Sequence, residues 1–180
     1  MTLPVLATDR LLLRPWRAAD LAPFAALCAD PEVMRHFPGA LARNAAAAVV
    51  ARLQDRWRED GFGFGVIERH ADGAFLGMAG LSRLAPTFPL AGAVEIGWRL
   101  ARAHWGAGYA TEAARAWAAF GFETLQLPEI VAFTVAQNRA SQAVALRLGM
   151  RRDPARDFDH PALPEGHRLG RHLVFALAAP

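Results

Sequence analysis

The sequence has no lysine, a single cysteine, a single tyrosine and no apolar run near the roughly 18 residues a membrane-crossing helix needs. Without lysine, the common phosphate-binding loop in which a lysine reaches the phosphates is excluded. All 20 basic side chains are arginines, which hold their charge, so the isoelectric point is near 10.3 although the net formal charge is only +3. Cys28 has no second cysteine to pair with, and nothing calls for an oxidising compartment; it reads as a small buried apolar residue. The N-terminus lacks the basic segment, apolar stretch and small-residue cleavage site of a secretory signal. These shortages predict a cytoplasmic protein without a membrane partner.

Two further absences narrow the chemistry. Arginines such as Arg52, Arg56 and Arg58 have no aromatic side chains interleaved among them, so they read as a solvated helix face and no nucleic-acid partner is expected. His36, His104 and His160 show no metal-ligand spacing, and no metal is expected.

What remains is a chain of 180 residues, 53% hydrophobic, enough for one core and one domain over 1–180. Residues 11–14 read as a strand, and Asp20 as the cap of a helix over 21–27. The alanine-rich stretch 43–60 predicts a helix stopped by Gly61. Strands follow at 62–68 and 74–81, joined by a hairpin turn at Asp72-Gly73. The segment 94–100 alternates, with Val94, Ile96, Trp98 and Leu100 on one face and Glu95, Gly97 and Arg99 on the other. After glycines 106 and 108, small and apolar residues recur at helical spacing from Ala110 to Leu125. A strand at 130–135, a helix at 138–148 stopped by Gly149, and a strand at 173–177 complete the order, with 153–165 expected as an exposed loop. The fold class is α+β: a single mixed, mostly antiparallel central sheet flanked by helices.

Residues 100–111 run from a strand into a helix through a glycine turn, an arrangement that offers free backbone N–H groups and a favourable helix terminus to an anion such as a pyrophosphate. A dinucleotide fingerprint would need a third glycine where Thr111 stands, so that reading fails.

Three segments resemble the GCN5-related N-acetyltransferase (GNAT) superfamily, and within it the RimJ/RimL-like branch that acetylates ribosomal-protein N-termini. They are Leu6-Ala7-Thr8-Asp9-Arg10-Leu11-Leu12-Leu13-Arg14-Pro15 with Ala29-Asp30-Pro31-Glu32-Val33-Met34; Val94-Glu95-Ile96-Gly97-Trp98 with Trp105-Gly106-Ala107-Gly108-Tyr109-Ala110-Thr111-Glu112-Ala113; and Asn138-Arg139-Ala140-Ser141 with Leu148-Gly149-Met150. Together they span nearly the whole chain in the family's order. The superfamily motif Q/R-x-x-G-x-G/A would place Gln or Arg where Ala103 stands; because backbone N–H groups dominate the contact, this departure should tune cofactor affinity.

The resemblance implies acetyl-CoA as cosubstrate, in a cleft where the strand at 94–100 splays from that at 130–135, held by Leu100, Arg102, Trp105, Gly106, Ala107, Gly108, Tyr109, Ala110, Thr111, Asn138 and Ser141. An amine would attack the thioester directly, without a covalent enzyme intermediate. The acceptor would be a protein N-terminal α-amino group or a small amine, chosen by loops at 37–41, 86–92 and 156–167. Glu95 is the leading general base, with pairing to Arg99 or another arginine as the alternative reading; Glu112 is a weaker candidate, better explained as a first-turn acid. Asn138 reads equally as a helix cap, and Ser141 is implied as the donor of a proton to the leaving thiolate. A non-catalytic CoA-binding sensor or partner-binding domain of the same fold is the alternative function, and either a monomer or a homodimer is compatible with the sequence.

Overall fold

The structure, a computed structural model, describes residues 3–180. Its strands are β1 (Leu6–Ala7), β2 (Leu11–Arg14), β3 (Phe64–Arg69), β4 (Phe75–Arg83), β5 (Val94–Leu100), β6 (Glu129–Val135), β7 (Arg151–Arg152), β8 (Phe158–Asp159) and β9 (Arg171–Ala178). Its helices are α1 (Leu21–Ala29), α2 (Pro31–Met34), α3 (Arg43–Asp60), α4 (Tyr109–Glu123) and α5 (Arg139–Arg147). One sheet runs β1-β2-β3-β4-β5-β6-β9-β7, with β8 also on β9. Every ladder is antiparallel except β5–β6, so the mixed, mostly antiparallel sheet flanked by helices is the fold the pattern predicts.

Period-2 alternation divides the strands between two layers. Ile67, Leu81, Ile96 and Ile130 pack with Ala113, Ala114 and Trp117 of α4, while Val66 and Met78 face Phe24 and Cys28 of α1 and Val50 of α3. The α3 boundaries match those read from the alanine run: Gly61 sits at φ 77° and its N–H closes on the Trp57 carbonyl. β5 likewise spans the whole alternating segment.

Three expectations are corrected. Asp20 makes no side-chain bond to the α1 N-terminus; its carboxylate instead accepts from both terminal nitrogens of the buried Arg14 at 2.8 Å and from the Arg17 N–H at 2.6 Å. The strand expected from 62 begins at Phe64. The stretch 153–165 is structured over its first half: Phe158 of β8 is buried, and Arg156 grips Glu129 at 2.7 Å and Asp153 at 2.7 Å. Strands of two residues carry no readable periodicity, so β1, β7 and β8 escape a pattern-based reading.

The consequence for function lies at the parallel seam. β5 and β6 share one register pair, Glu95 with Val131, and then part. Beyond it, the backbone edge of β5 that faces β6 has no ladder partner.

Candidate functional site

The parting strands open a cleft of about 1530 Å³, lined by β5 residues 95–100, β6 residues 132–135, the turn into α4, the start of α5 and the segment after α2. One end of the cleft is the glycine turn into α4. Gly106 and Gly108 hold φ of 76° and 82°, a backbone conformation that disfavours any residue with a Cβ. The amide N–H groups of residues 106–111 find no acceptor among the described residues, and Glu112 is the first to bond back, to the Gly108 carbonyl at 3.1 Å. A Cβ built on Gly106 would meet nothing within 4 Å, so the turn is open at that position. That is the chemistry a pyrophosphate requires.

The turn is held from outside by the segment between β1 and β2. Arg10 bridges to Glu112 at 2.6 Å, donates to the Ala107 carbonyl at 3.0 Å and lies 4.6 Å from the Tyr109 ring centroid. The Thr8 hydroxyl donates to Glu112 at 2.6 Å. Burial alone would raise the Glu112 pKa, but these hydrogen bonds outweigh it and hold the carboxyl below its ordinary value. Glu112 is therefore a latch, which removes it as a base.

Of the residues the sequence assigned to the cofactor, Leu100, Trp105, Gly106, Gly108, Tyr109, Ala110, Thr111, Asn138 and Ser141 line the cleft. Arg102 and Ala107 fall outside the lining; Arg102 is exposed, as is Ala103, in a 3-10 turn over Arg102–His104. Trp105 donates its indole N–H to the Leu100 carbonyl at 2.9 Å, closing the C-terminal end of β5. The Asn138 carbonyl oxygen accepts from the Ser141 N–H at 3.2 Å and its amide donates to the Thr134 hydroxyl at 3.0 Å, so the capping role is directly seen. The Ser141 hydroxyl itself has no partner among the described residues and borders the cleft.

Glu95 stands at the apex, where β5 and β6 last touch. It forms no ion pair among the described residues, so the reading in which it merely pairs with Arg99 is set aside. It is half-buried in the cleft wall, and this burial pushes its pKa up to about 7, with Arg56 drawing it part-way back. A carboxyl poised there exchanges a proton readily at neutral pH.

The face of β5 that carries Glu95 looks toward α1 and α2. There the Phe37 ring lies 3.9 Å from the Arg99 guanidinium carbon, and Cys28 receives an Arg99 N–H at 3.5 Å; Cys28 is buried but not in a purely apolar setting. Opposite stand His160 and His172, ring centroids 5.1 Å apart, both lowered in pKa chiefly by burial. The loop at 86–92 does not reach this cleft; Pro89, Leu90 and Ala91 border a separate hollow of about 550 Å³ with Ala155–Phe158. From the other two loops, Phe37, Pro38, His160, Ala162 and Leu163 do reach it.

Sequence reasoning missed Thr8 and Arg10, which lie a hundred residues from α4 and give no local signal. Arg99 was within reach, because it shares the Glu95 face of an alternating strand. Among the described residues no cluster of His, Cys, Asp and Glu has metal-binding geometry, and no helix is long and apolar enough to cross a membrane.

Comparison with known proteins agrees with this geometry. Residues 10–151 match the family described as Acetyltransferase (GNAT) domain. The uncharacterized protein YkkB of Bacillus subtilis is 35% identical over 146 residues, 81% of this chain and 84% of YkkB. A crystal structure of an acetyltransferase from Agrobacterium tumefaciens superposes with a TM-score of 0.80 at 33% identity, covering 98% of this chain and 95% of its own. RimJ of Mycobacterium smegmatis, solved in complex with CoA-disulfide, gives a TM-score of 0.73 at 23% identity over 94% of this chain and 82% of its own, a likeness of fold alone.

Proposed function

Since the chain belongs to the acetyltransferase (GNAT) family and is an acetyl-CoA-dependent N-acetyltransferase, we propose that its acceptor is a protein N-terminal α-amino group or a small primary amine, acetylated directly within a ternary complex. The observation that carries this reading is the single-pair seam: it leaves the edge of β5 free between the donor row at 106–111 and Glu95. An extended pantetheine arm, which carries amide groups of its own, fits such an edge as an added strand would. The pyrophosphate then meets the N–H groups of the turn, and the thioester lies near the apex.

The acceptor approaches from the α1–α2 side. Glu95, through water or directly, takes the proton that an ammonium must lose before it attacks. An α-amino group, with a pKa of about 7.7 to 8.0, is matched to a base near 7 far better than a lysine side chain of about 10.4. N–H groups on the unpaired edge of β5 stabilise the oxyanion as the carbonyl becomes tetrahedral. The departing thiolate is protonated through Ser141, whose uncommitted hydroxyl donates to the sulfur as it takes a proton from water in turn, whereas the lone Tyr109 is tied under Arg10. The CoA-disulfide in the related RimJ structure and the match of fold support the cosubstrate.

The test is a screen of peptides with free N-termini, lysine side-chain amines and small amines, each with acetyl-CoA and with release of free thiol as the signal. Thiol release with α-amines above that with lysine side chains is expected. Acetylation confined to lysine side chains would overturn the acceptor assignment.

A further inference from the structure

Arg99 has no charge partner. No carboxylate lies within 4.0 Å of its guanidinium among the described residues, its Nε is shut off from solvent without a hydrogen bond, and its one donated bond goes to the weak acceptor sulfur of Cys28. The guanidinium carbon lies 3.9 Å from the Phe37 ring centroid, and Arg99 lines the cleft. An arginine stays protonated in a protein, so this is a fixed positive charge, half-buried in the cleft wall, with Nε unbonded and only a sulfur accepting from the rest of the guanidinium, a group that an anion would complete.

The surroundings carry the same sign. Along the segment after α2, Arg35 and His36 border the cleft, and Arg168 reaches over to donate to the Arg35 carbonyl at 3.4 Å. Glu32 is engaged by Arg35 at 3.5 Å. From α1 only Cys28 meets Arg99, and from β4 the neighbour across the ladder is Met78. On β5 itself Glu95 is the nearest acid in sequence, but four strand residues separate the two Cα atoms by about 13 Å. No carboxylate among the described residues neutralises Arg99.

The cosubstrate does not supply the anion. Its phosphates belong at the α4 turn, beyond the end of β5, and the pantetheine arm beside β5 is uncharged. The side of the strand on which Arg99 stands is the side open to the acceptor. Resting on the acetyltransferase reading above, we propose that Arg99 is a specificity residue that binds a carboxylate on the acceptor, so that the preferred acceptor is an amine carrying an acidic group several bonds from its nitrogen. A planar guanidinium offers a carboxylate two parallel hydrogen bonds, and the flanking Phe37 ring orients that fork. The carboxylate can come from an acidic side chain next to a peptide N-terminus or from a small amino acid.

The experiment compares acceptor twins that differ only in carboxylate against carboxamide. One pair is a peptide with Glu or Gln at its second position; the other is a set of small ω-amino acids and their amides. The wild-type protein is expected to show a kcat/KM about tenfold or more higher for the carboxylate of at least one pair, mainly through KM, and the favoured pair identifies the source. Arg99→Gln should bring kcat/KM for each acid down to that for its amide. Equal rates on both twins of every pair with the wild-type protein would overturn the proposal without any variant, as would a preference that survives in Arg99→Gln. No thiol release with any twin would instead count against the acetyl-transfer reading on which the proposal rests.

Discussion

At the scale of single residues, the cleft is built on two charges that the fold leaves unpaired, Glu95 and Arg99. Arg14, Glu68 and Asp20, elsewhere on the sheet, show the alternative: there a buried guanidinium is bracketed by two carboxylates at 2.7 and 2.8 Å. Glu95 has no such help, and its raised pKa has a consequence for stability. The folded state holds its proton up to about 7, whereas an unfolded glutamate releases it near 4.3. The folded state therefore binds more protons between these values, and the contribution of this group is fully present below about 4.3 and lost as pH rises through 7, about 4 kcal/mol at most. Glu95→Gln should accordingly raise the melting temperature relative to wild type at pH 8 and have little effect at pH 4.5. The same variant should lower kcat/KM by roughly 10² to 10⁴ at neutral pH and abolish the activity limb that rises through pH 7. Thermal melts and pH–rate profiles of the two proteins check both halves; a variant no more stable at pH 8, with an unchanged profile, would deny Glu95 its ionisation in the cleft.

Elements act on the site through their ends. The donor row at 106–111 exists because β5 stops at the Trp105 indole and α4 starts from a glycine in the left-handed conformation. The latch of Arg10 and Thr8 on Glu112 then ties that start to the β1–β2 edge of the sheet. Gly108→Ala meets no steric obstacle, its Cβ falling 3.5 Å from the Arg10 guanidinium, so its effect isolates backbone conformation. It should cost about 1 to 2 kcal/mol of stability, because an alanine pays that to stand at φ 82°. By turning the N–H groups away it should raise the acetyl-CoA Kd about tenfold or more, while kcat at saturation changes little. Calorimetric titration with acetyl-CoA reads this directly, and an unchanged Kd would remove the turn from the binding site. The same logic of element ends explains α5, whose first turn is closed by the Asn138 side chain and so presents Ser141 at a fixed place beside β6.

For the whole molecule, the seam divides the sheet into β1–β5 and β6–β9, joined by one parallel register pair and by α4, which packs against both β4 and β6 strands through Trp117 and Gly121. A ligand that lies in the seam touches both halves and should favour the folded chain by mass action. At 100 times its Kd, acetyl-CoA should contribute about 2.7 kcal/mol, which for a chain of this size is a rise in Tm of about 5 to 10 °C. A thermal scan across acetyl-CoA concentrations checks it, and a Tm indifferent to acetyl-CoA would mean that the seam is not its site.

Local pattern determined much of this protein. The alternation of 94–100, the alanine run ended by Gly61 and the glycines before α4 each act over a few residues, where period and conformational preference are decided by neighbours in sequence; the β5 and α3 boundaries and the turn geometry follow from them. The same pattern put Glu95 and Arg99 on one face of β5. It could not say whether they met each other, because that depends on side chains brought from elsewhere: Phe37 and Cys28 from the α1–α2 region claim Arg99, and nothing claims Glu95. Nor could it place Asp20, whose local role as a cap competes with a buried arginine on the neighbouring strand and loses. Thr8 and Arg10 reach Glu112 across more than a hundred residues of chain. Secondary structure was legible because its forces are short in sequence; the charge state of the cleft was decided by tertiary structure, because desolvation and pairing depend on which distant groups the packed chain brings within a few ångströms.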